Sequence, residues 1–438
     1  MARSAGADDL LRQLAQLNTT DLRVLLTEVF PSQAYEGERT IKYARGTERE
    51  PALSLVYRAA RSGRPPDGAV SELRREAALQ PEDVDELRRF LAILQGPPRD
   101  HLASFFHFSS RPVSTWWRYR DEFQIMPPPP DAPLPGMLVG DWPFLIEARY
   151  RSPDHFGFEI QYRMRTMNRL RLLLPVWLIG PKFKPHTERN TKHWVVPFQG
   201  PATETQPPNG VSRLLAALRL RRQPSPAPVR PGPPVFAQEY YEVEGRVRGG
   251  PDLSSLDPAR AAPLVEDHEA YYRTMSRRLD DVVEFPAILS TLFDTYYALD
   301  EETARRYRRA CYWFNLGNFL YGYSGSASFF ALVAAIESLL PGGEGPHPCA
   351  ECGASHYPSL TKAFRGFLET YVPDKPEREA FYDLRSKIAH GSRLLHFDLR
   401  EEWSEFHPVS ADEDTQIRQL QGMCRVALVN WLLAQGTG

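Results

Sequence analysis

The chain has 438 residues, 42% hydrophobic and 25% charged, with a formal net charge of -2. That length exceeds one ordinary domain, and the near-neutral balance excludes a global attraction to nucleic acid, so any polyanion site has to be a local patch. No run of eighteen apolar residues occurs, the opening MARSAGADDLLRQLAQL carries acids where a secretory signal is basic, and there are four cysteines; the expectation is a cytoplasmic protein with no membrane span and no disulfide framework.

Residues 1–96 read as helical. Leu10, Leu14 and Leu17 fall at helical spacing, and Thr20 can cap a second helix carrying Leu22, Leu25, Leu26 and Val29, which Pro31 ends. Pro51 opens a third, with Leu53, Val56, Tyr57 and Ala60 as its apolar stripe. Val70–Glu76 and Glu82–Leu94 complete a small bundle before Gly96-Pro97-Pro98.

Residues 99–260 change character. FLIEARYR, FGFEIQYRMR, LRLLLPVWLIG and HWVVPF are rich in β-branched and aromatic residues, parts of them alternating with charge, so strands are expected. MPPPPDAPLPG and QPSPAPVRPGPP read as loops. From 261 to 438 the apolar residues again recur three and four apart. The expected class is therefore multidomain α+β: an N-terminal helical bundle (1–96), a β-rich middle domain (99–260) and a C-terminal all-α bundle (261–438).

Within the last part, FYDLRSKIAHG places Arg385 five residues before His390, just ahead of Gly391. Such a pair suits RNA cleavage. Ribose supplies its own 2′-hydroxyl nucleophile, histidine moves protons near neutrality, and arginine offers phosphate a permanently charged fork of donors. No metal is needed for that chemistry. Spacing alone says little, because an arginine followed by a histidine with four to six residues between them also occurs at Arg149/His155 and Arg400/His407. Positions five apart lie about 140° apart around a helix. A polar helix end closed by glycine is the plain alternative.

The segment from about 300 to 400 resembles the Apea-like branch of the HEPN family. The blocks ARRYRRACYWFNLGNF, SASFFALVAAIESLLPGG, CAECG, SLTKAFRGFLETY and FYDLRSKIAHGSRLL stand in the family's order. The resemblance implies a four- or five-helix bundle and a homodimer in which the arginine and histidine of both protomers meet in a cleft. It also implies a metal-independent ribonuclease of toxin or antiphage defence type. Carried over, Arg385 steadies the phosphate and His390 is the general acid or base. Ser386 departs from the Asn, Asp or His that catalytic members carry after the arginine; its hydroxyl can bond RNA or orient Arg385 but does not share the proton transfer. Glu337, at a recurrent family position, either pairs with Arg385 or satisfies a helix–helix contact.

HPCAECGASH holds His347, Cys349, Cys352 and His356 within ten residues. Two cysteines two apart before a glycine form half of a zinc knuckle, and the flanking histidines are the remaining candidate ligands. A structural zinc and a loop of reduced cysteines both stay open. Between 149 and 192, Arg163, Arg165, Arg169 and Arg171 stand among ten basic residues, with Tyr150, Phe158, Tyr162 and Trp177 interleaved. On a strand they would offer single-stranded RNA a charged, aromatic face; a solvated outer sheet face is the alternative. LLRQLAQLNTTDLRVLLTEVFP and PALSLVYRAARSGR loosely resemble bacterial effector-associated, death-like adaptor domains, which implies a protein partner for the N-terminal part. The combined expectation is a dimeric, metal-independent endoribonuclease of defence or stress. The alternative is a catalytically silent HEPN module that binds RNA or a protein partner.

Overall fold

The computed structural model describes residues 2–36, 40–45, 51–57, 70–128, 142–181, 193–200, 235–242, 252–273, 282–340, 347–348, 355–356, 360–372, 381, 384–385, 387–388, 394–395, 398 and 408–436. The chain is mixed α+β. It divides into two compact units, Met1–Leu102 with Arg149–Thr166 and Gly250–Asp252, and Ala103–Ala148 with Met167–Gly249 and Leu253–Gly438.

In the first unit, α1 (Ala2–Leu14) and α2 (Thr19–Val29) precede an antiparallel meander of β1 (Ser32–Glu36), β2 (Thr40–Ala44), β3 (Leu53–Tyr57) and β4 (Val70–Arg75), and α3 (Pro81–Gln95) follows. Asn18, not Thr20, caps α2; its side chain accepts from Asp21 N at 3.0 Å. Pro81 opens α3, where the Asp83 carboxylate accepts from Gln80 N at 2.9 Å.

The meander corrects the all-helical reading of 1–96. Leu53, Val56 and Tyr57 fit a helical stripe, but within five residues Leu53 and Leu55 also alternate, and so short a window does not discriminate. Packing decides. Ile41 pairs across with Leu55 and Tyr43 with Leu53, so all four share one sheet face. They are buried with Leu22, Leu25, Leu26, Phe30, Leu87 and Phe90 from the helical side of the unit. Of the two stretches behind the N-terminal resemblance, the first is helical in α1 and α2, and the described part of the second is β3.

A second four-stranded sheet has the order β5-β8-β7-β6, formed by β5 (Arg99–Ser109), β6 (Trp117–Tyr119), β7 (Phe123–Met126) and β8 (Trp142–Ser152). FLIEARYR lies in β8, as expected of a strand. FGFEIQYRMR and LRLLLPVW do not form strands; they are one helix, α4 (Phe156–Trp177). The arginine alternation misleads here, because the apolar residues carry the period: Met167, Leu170, Leu173, Leu174 and Trp177 are all buried at steps of three and four. Pro175 interrupts the helical donors near the end of α4, and side chains satisfy the carbonyls around it. Leu172 O accepts from Asn315 Nδ2 at 2.8 Å, Pro175 O from Arg425 Nη2 at 3.3 Å, and Trp177 O from the Tyr272 hydroxyl at 3.0 Å. HWVVPF falls in β9 (His193–Gly200), which pairs antiparallel with β10 (Val235–Glu242).

The short parallel pair β11 (Leu264–Val265) and β12 (Phe285–Pro286) flanks α5 (His268–Arg273). Then come α6 (Leu289–Ala298), α7 (Glu301–Leu320), α8 (Gly325–Glu337), the two-residue strands β13 (His347–Pro348) and β14 (Ser355–His356), α9 (Leu360–Tyr371) and α10 (Pro408–Gln435). The sequence divides at 260–261, yet one aromatic core runs across that point. Trp117 stacks on Phe285 at 6.1 Å, Trp177 meets Phe293 edge-on at 4.6 Å, and Tyr307 stacks on Trp431 at 5.7 Å. Helices α7 and α8 form an antiparallel hairpin closed at Gly317, where a Cβ would sit 2.8 Å from Leu332 Cγ. Asn430 Nδ2 ties α10 to α9 through Tyr371 O at 2.9 Å. No helix among the described residues is long and apolar enough to cross a membrane.

Candidate functional site

Helix α8 organises the candidate site. Its apolar run SASFFALVAAIE buries Phe329, Leu332, Val333 and Ile336, and leaves Glu337 at the far end partly exposed. Arg306 of α7 reaches over that end and donates to Leu339 O at 2.7 Å and Leu340 O at 3.0 Å, in the turn that follows the helix.

Around the motif, Phe381, Leu384, Arg385, Lys387 and Ile388 are helical. Phe381 and Leu384 are buried, and the Phe381 ring lies 6.2 Å from Phe329. That packing turns Arg385 toward the end of α8, where its Nη2 donates to Glu337 Oε1 in an ion pair. Of the two roles open to Glu337, pairing with Arg385 is the one observed. Both side chains keep some solvent access, 21% for Arg385 and 29% for Glu337. A partly exposed pair of this kind contributes about 1 kcal/mol or less.

The chain beyond the motif is bound to the opposite end of the same helix. Asp398 Oδ1 accepts from Gly325 N at 2.9 Å and its Oδ2 from Ser326 N at 2.8 Å. Leu395 N donates to Ser326 Oγ at 2.8 Å, while Ser324 Oγ accepts from Ala327 N at 3.1 Å. Asp398 and Leu395 were not singled out by sequence, since their partners lie 69 to 73 residues away and no local pattern marks them. Ser386 and His390 lie outside the described residues.

The arginines expected on a strand face are instead distributed around α4, two residues apart being about 200° apart on a helix. In the first unit the Arg165 guanidinium lies 5.1 Å from the centre of the Tyr162 ring. Tyr162 donates to Asp21 Oδ2 at 2.9 Å, and burial, reinforced by that carboxylate, pushes its phenol up to about 12. Arg163 lies on the same stretch, and its charge acts on Tyr150 against the burial that raises that phenol. In the second unit Arg169 sits 5.6 Å from the Tyr297 ring centre and Arg171 5.4 Å from that of Phe105. Three of the four therefore lie against protein rings, and they do not form one cationic row.

His347 and His356 are direct partners in the antiparallel β13–β14 pair, which brings two of the four candidate zinc ligands opposite each other on the backbone. Cys349 and Cys352 lie outside the described residues. Among the described residues no group of three or more His, Cys, Asp or Glu side chains is arranged to hold a metal. Cys311 and Cys424 are buried, and burial raises both thiols far above their usual range, which suits core packing and not metal binding. No family model matches the chain, and neither a curated protein nor a solved structure matches it significantly.

Proposed function

We propose that the chain is a metal-independent endoribonuclease of bacterial defence or stress whose residues 261–438 form a HEPN-type domain, with Arg385 steadying the scissile phosphate and His390 moving the proton. One observation supports it above the others: Arg385 stands partly exposed at the end of α8, with the chain on both sides of His390 bound to that helix. In this reading Glu337 holds the guanidinium in place until phosphate oxygens take over its donors. The 2′-hydroxyl attacks the phosphate, and the products end in 2′,3′-cyclic phosphate and 5′-hydroxyl.

The Arg385–Glu337 pair also favours a second reading, a silent module, because an arginine already matched by a carboxylate can serve the helix contact alone. Ser386, where catalytic members carry Asn, Asp or His, points the same way. RNA or a protein partner would then bind without being cut.

The test is cleavage of an end-labelled RNA in EDTA by the wild type, His390→Ala and Arg385→Ala. Cyclic-phosphate ends that fall by about 100-fold or more in both variants support the enzyme. RNA retention without cleavage, lost in Arg385→Ala, supports the binding module and refutes the nuclease.

A further inference from the structure

Helix α7 is apolar on two sides. Ala304, Tyr307, Cys311 and Phe314 follow at steps of three, four and three, and all are buried in the second unit. Away from that stripe run Arg305, Arg309, Tyr312, Leu316, Phe319 and Tyr323, at steps of four, three, four, three and four. At about 100° per residue the five inside the helix fall within about 80° of one another. Tyr323 lies just past the helix end, and its ring touches that of Phe319, 5.4 Å between centres. Tyr312 is 43% exposed, Phe319 37% and Tyr323 73%. At ~150–250 Å² for a whole aromatic side chain, the exposed parts of these rings come to about 300 Å². Residues 312–323 contain no charged side chain, so nothing on this half of the stripe favours water strongly. A helix with a second apolar face is one that something else covers.

We infer that this face of α7 binds an α-helix of a partner protein, one with an apolar 3.5-residue repeat that ends in carboxylates. The period identifies the partner as a helix, because alternating steps of four and three are what keep one helix lying along another. From Arg305 to Tyr323 the seam runs eighteen residues, about 27 Å, or five turns of a partner. The two arginines identify its chemistry. Arg309 is exposed and has no ion pair among the described residues, and Arg305 makes one exposed contact with Glu302 at 3.7 Å. A partner that is apolar throughout covers both guanidiniums without matching their charge, which is costly. One with Asp or Glu at that end pairs them, so the arginines set register and choice of partner while the rings supply buried area.

Other occupants match the stripe less well. Single-stranded RNA carries a phosphate at every nucleotide, whereas the cations are confined to the first half and Tyr312 to Tyr323 add none. A second copy of this stripe brings no carboxylate to the arginine end.

The inference does not depend on RNA cleavage by Arg385 and His390, and its test reads binding to the full chain. The probe is a labelled synthetic peptide of about 21 residues, long enough to hold a helix, with leucine on the seam positions of two heptads and glutamate on those of the last. A second peptide has lysine in place of glutamate. Fluorescence anisotropy is measured for the wild type, Phe319→Glu, the double variant Arg305→Glu with Arg309→Glu, and Phe156→Glu, an exposed aromatic of the first unit, as control. Each variant is checked for unchanged circular dichroism. The glutamate peptide should bind wild type and control about 10-fold or more tighter than the lysine peptide. Phe319→Glu should weaken it about 30-fold, and the double arginine variant should reverse the preference. Equal binding of the two peptides, or binding of neither, overturns the inference. So does a wild-type chain that sediments as a dimer and is dissociated by Phe319→Glu, which gives the face to a second copy. Tighter binding of a single-stranded oligonucleotide than of either peptide, lost in Phe319→Glu, gives it to RNA.

Discussion

Removing Asp398 tests whether α8 is the template for the motif. Its carboxylate accepts from Gly325 N at 2.9 Å and Ser326 N at 2.8 Å, two of the amides that the first turn of α8 leaves without helical partners. Charge-assisted bonds of this kind contribute ~1.5–3 kcal/mol each where they are buried, and the negative charge gains ~0.3–1 kcal/mol more from the helix dipole. Asp398 is partly exposed, so water recovers some of this, and Ser324 still caps Ala327 N. Asp398→Ala should then cost about 2–3 kcal/mol, and Asp398→Asn, which keeps one oxygen acceptor, about half as much. A chain of two compact units need not unfold in one step, so a local readout is preferable. Amide hydrogen exchange over 325–337 should speed up about 30- to 150-fold in the alanine variant, with a smaller change in the asparagine variant. Exchange within about threefold of wild type, or equal changes in both variants, would sink the idea that Asp398 anchors α8.

Three further outcomes follow from named contacts. Glu147 is fully buried and accepts from Gln124 Nε2, Ser254 N (2.9 Å) and Ser254 Oγ (2.7 Å), while Arg118 holds Gln124 Oε1; Glu147→Ala strands those donors and should lower stability in urea unfolding by about 3–5 kcal/mol, a loss under 1 kcal/mol counting against it. Tyr271 is buried and its phenol is pushed up to about 12 by that burial. An unfolded tyrosine releases its proton near pH 10, so unfolding releases a proton above that pH. The stability from Tyr271 is complete below about 10 and is lost as pH rises through about 12, on the order of 2–3 kcal/mol. Tyr271→Phe should flatten that alkaline slope in denaturant titrations, and an unchanged slope would refute the assignment. Zinc on His347, Cys349, Cys352 and His356 predicts about one equivalent by elemental mass spectrometry after chelator-free purification, lost in Cys352→Ser; none in the wild type removes the metal.

The helices of the second unit were legible because length and capping agree. Asp300 accepts from Glu302 N and Thr303 N to start α7, Ser324 starts α8, and the apolar residues behind each keep a helical period over thirteen residues or more. β3 was not, because five residues of Leu-Ser-Leu-Val-Tyr satisfy both periods and only the helical leucines packed on Leu53 and Leu55 choose between them. In α4 the charged residues supplied a false period, while the buried ones, Met167 to Trp177, supplied the true one. Burial is the physical variable, and charge alternation stands in for it poorly.

The site divides in the same way. Arg385 and Glu337 stood out by their chemistry, whereas Asp398, Leu395 and Arg306 draw their meaning from partners 33 to 73 residues away. Leu395 and Asp398 bind the first turn of α8 while Arg385 binds its last residue, so thirteen residues, about 20 Å of helix, span the two attachments. Attachments at both ends of one helix resist its fraying. In the proposed nuclease that rigidity would serve the phosphate-binding arginine, since an error of an ångström in its position is costly to catalysis.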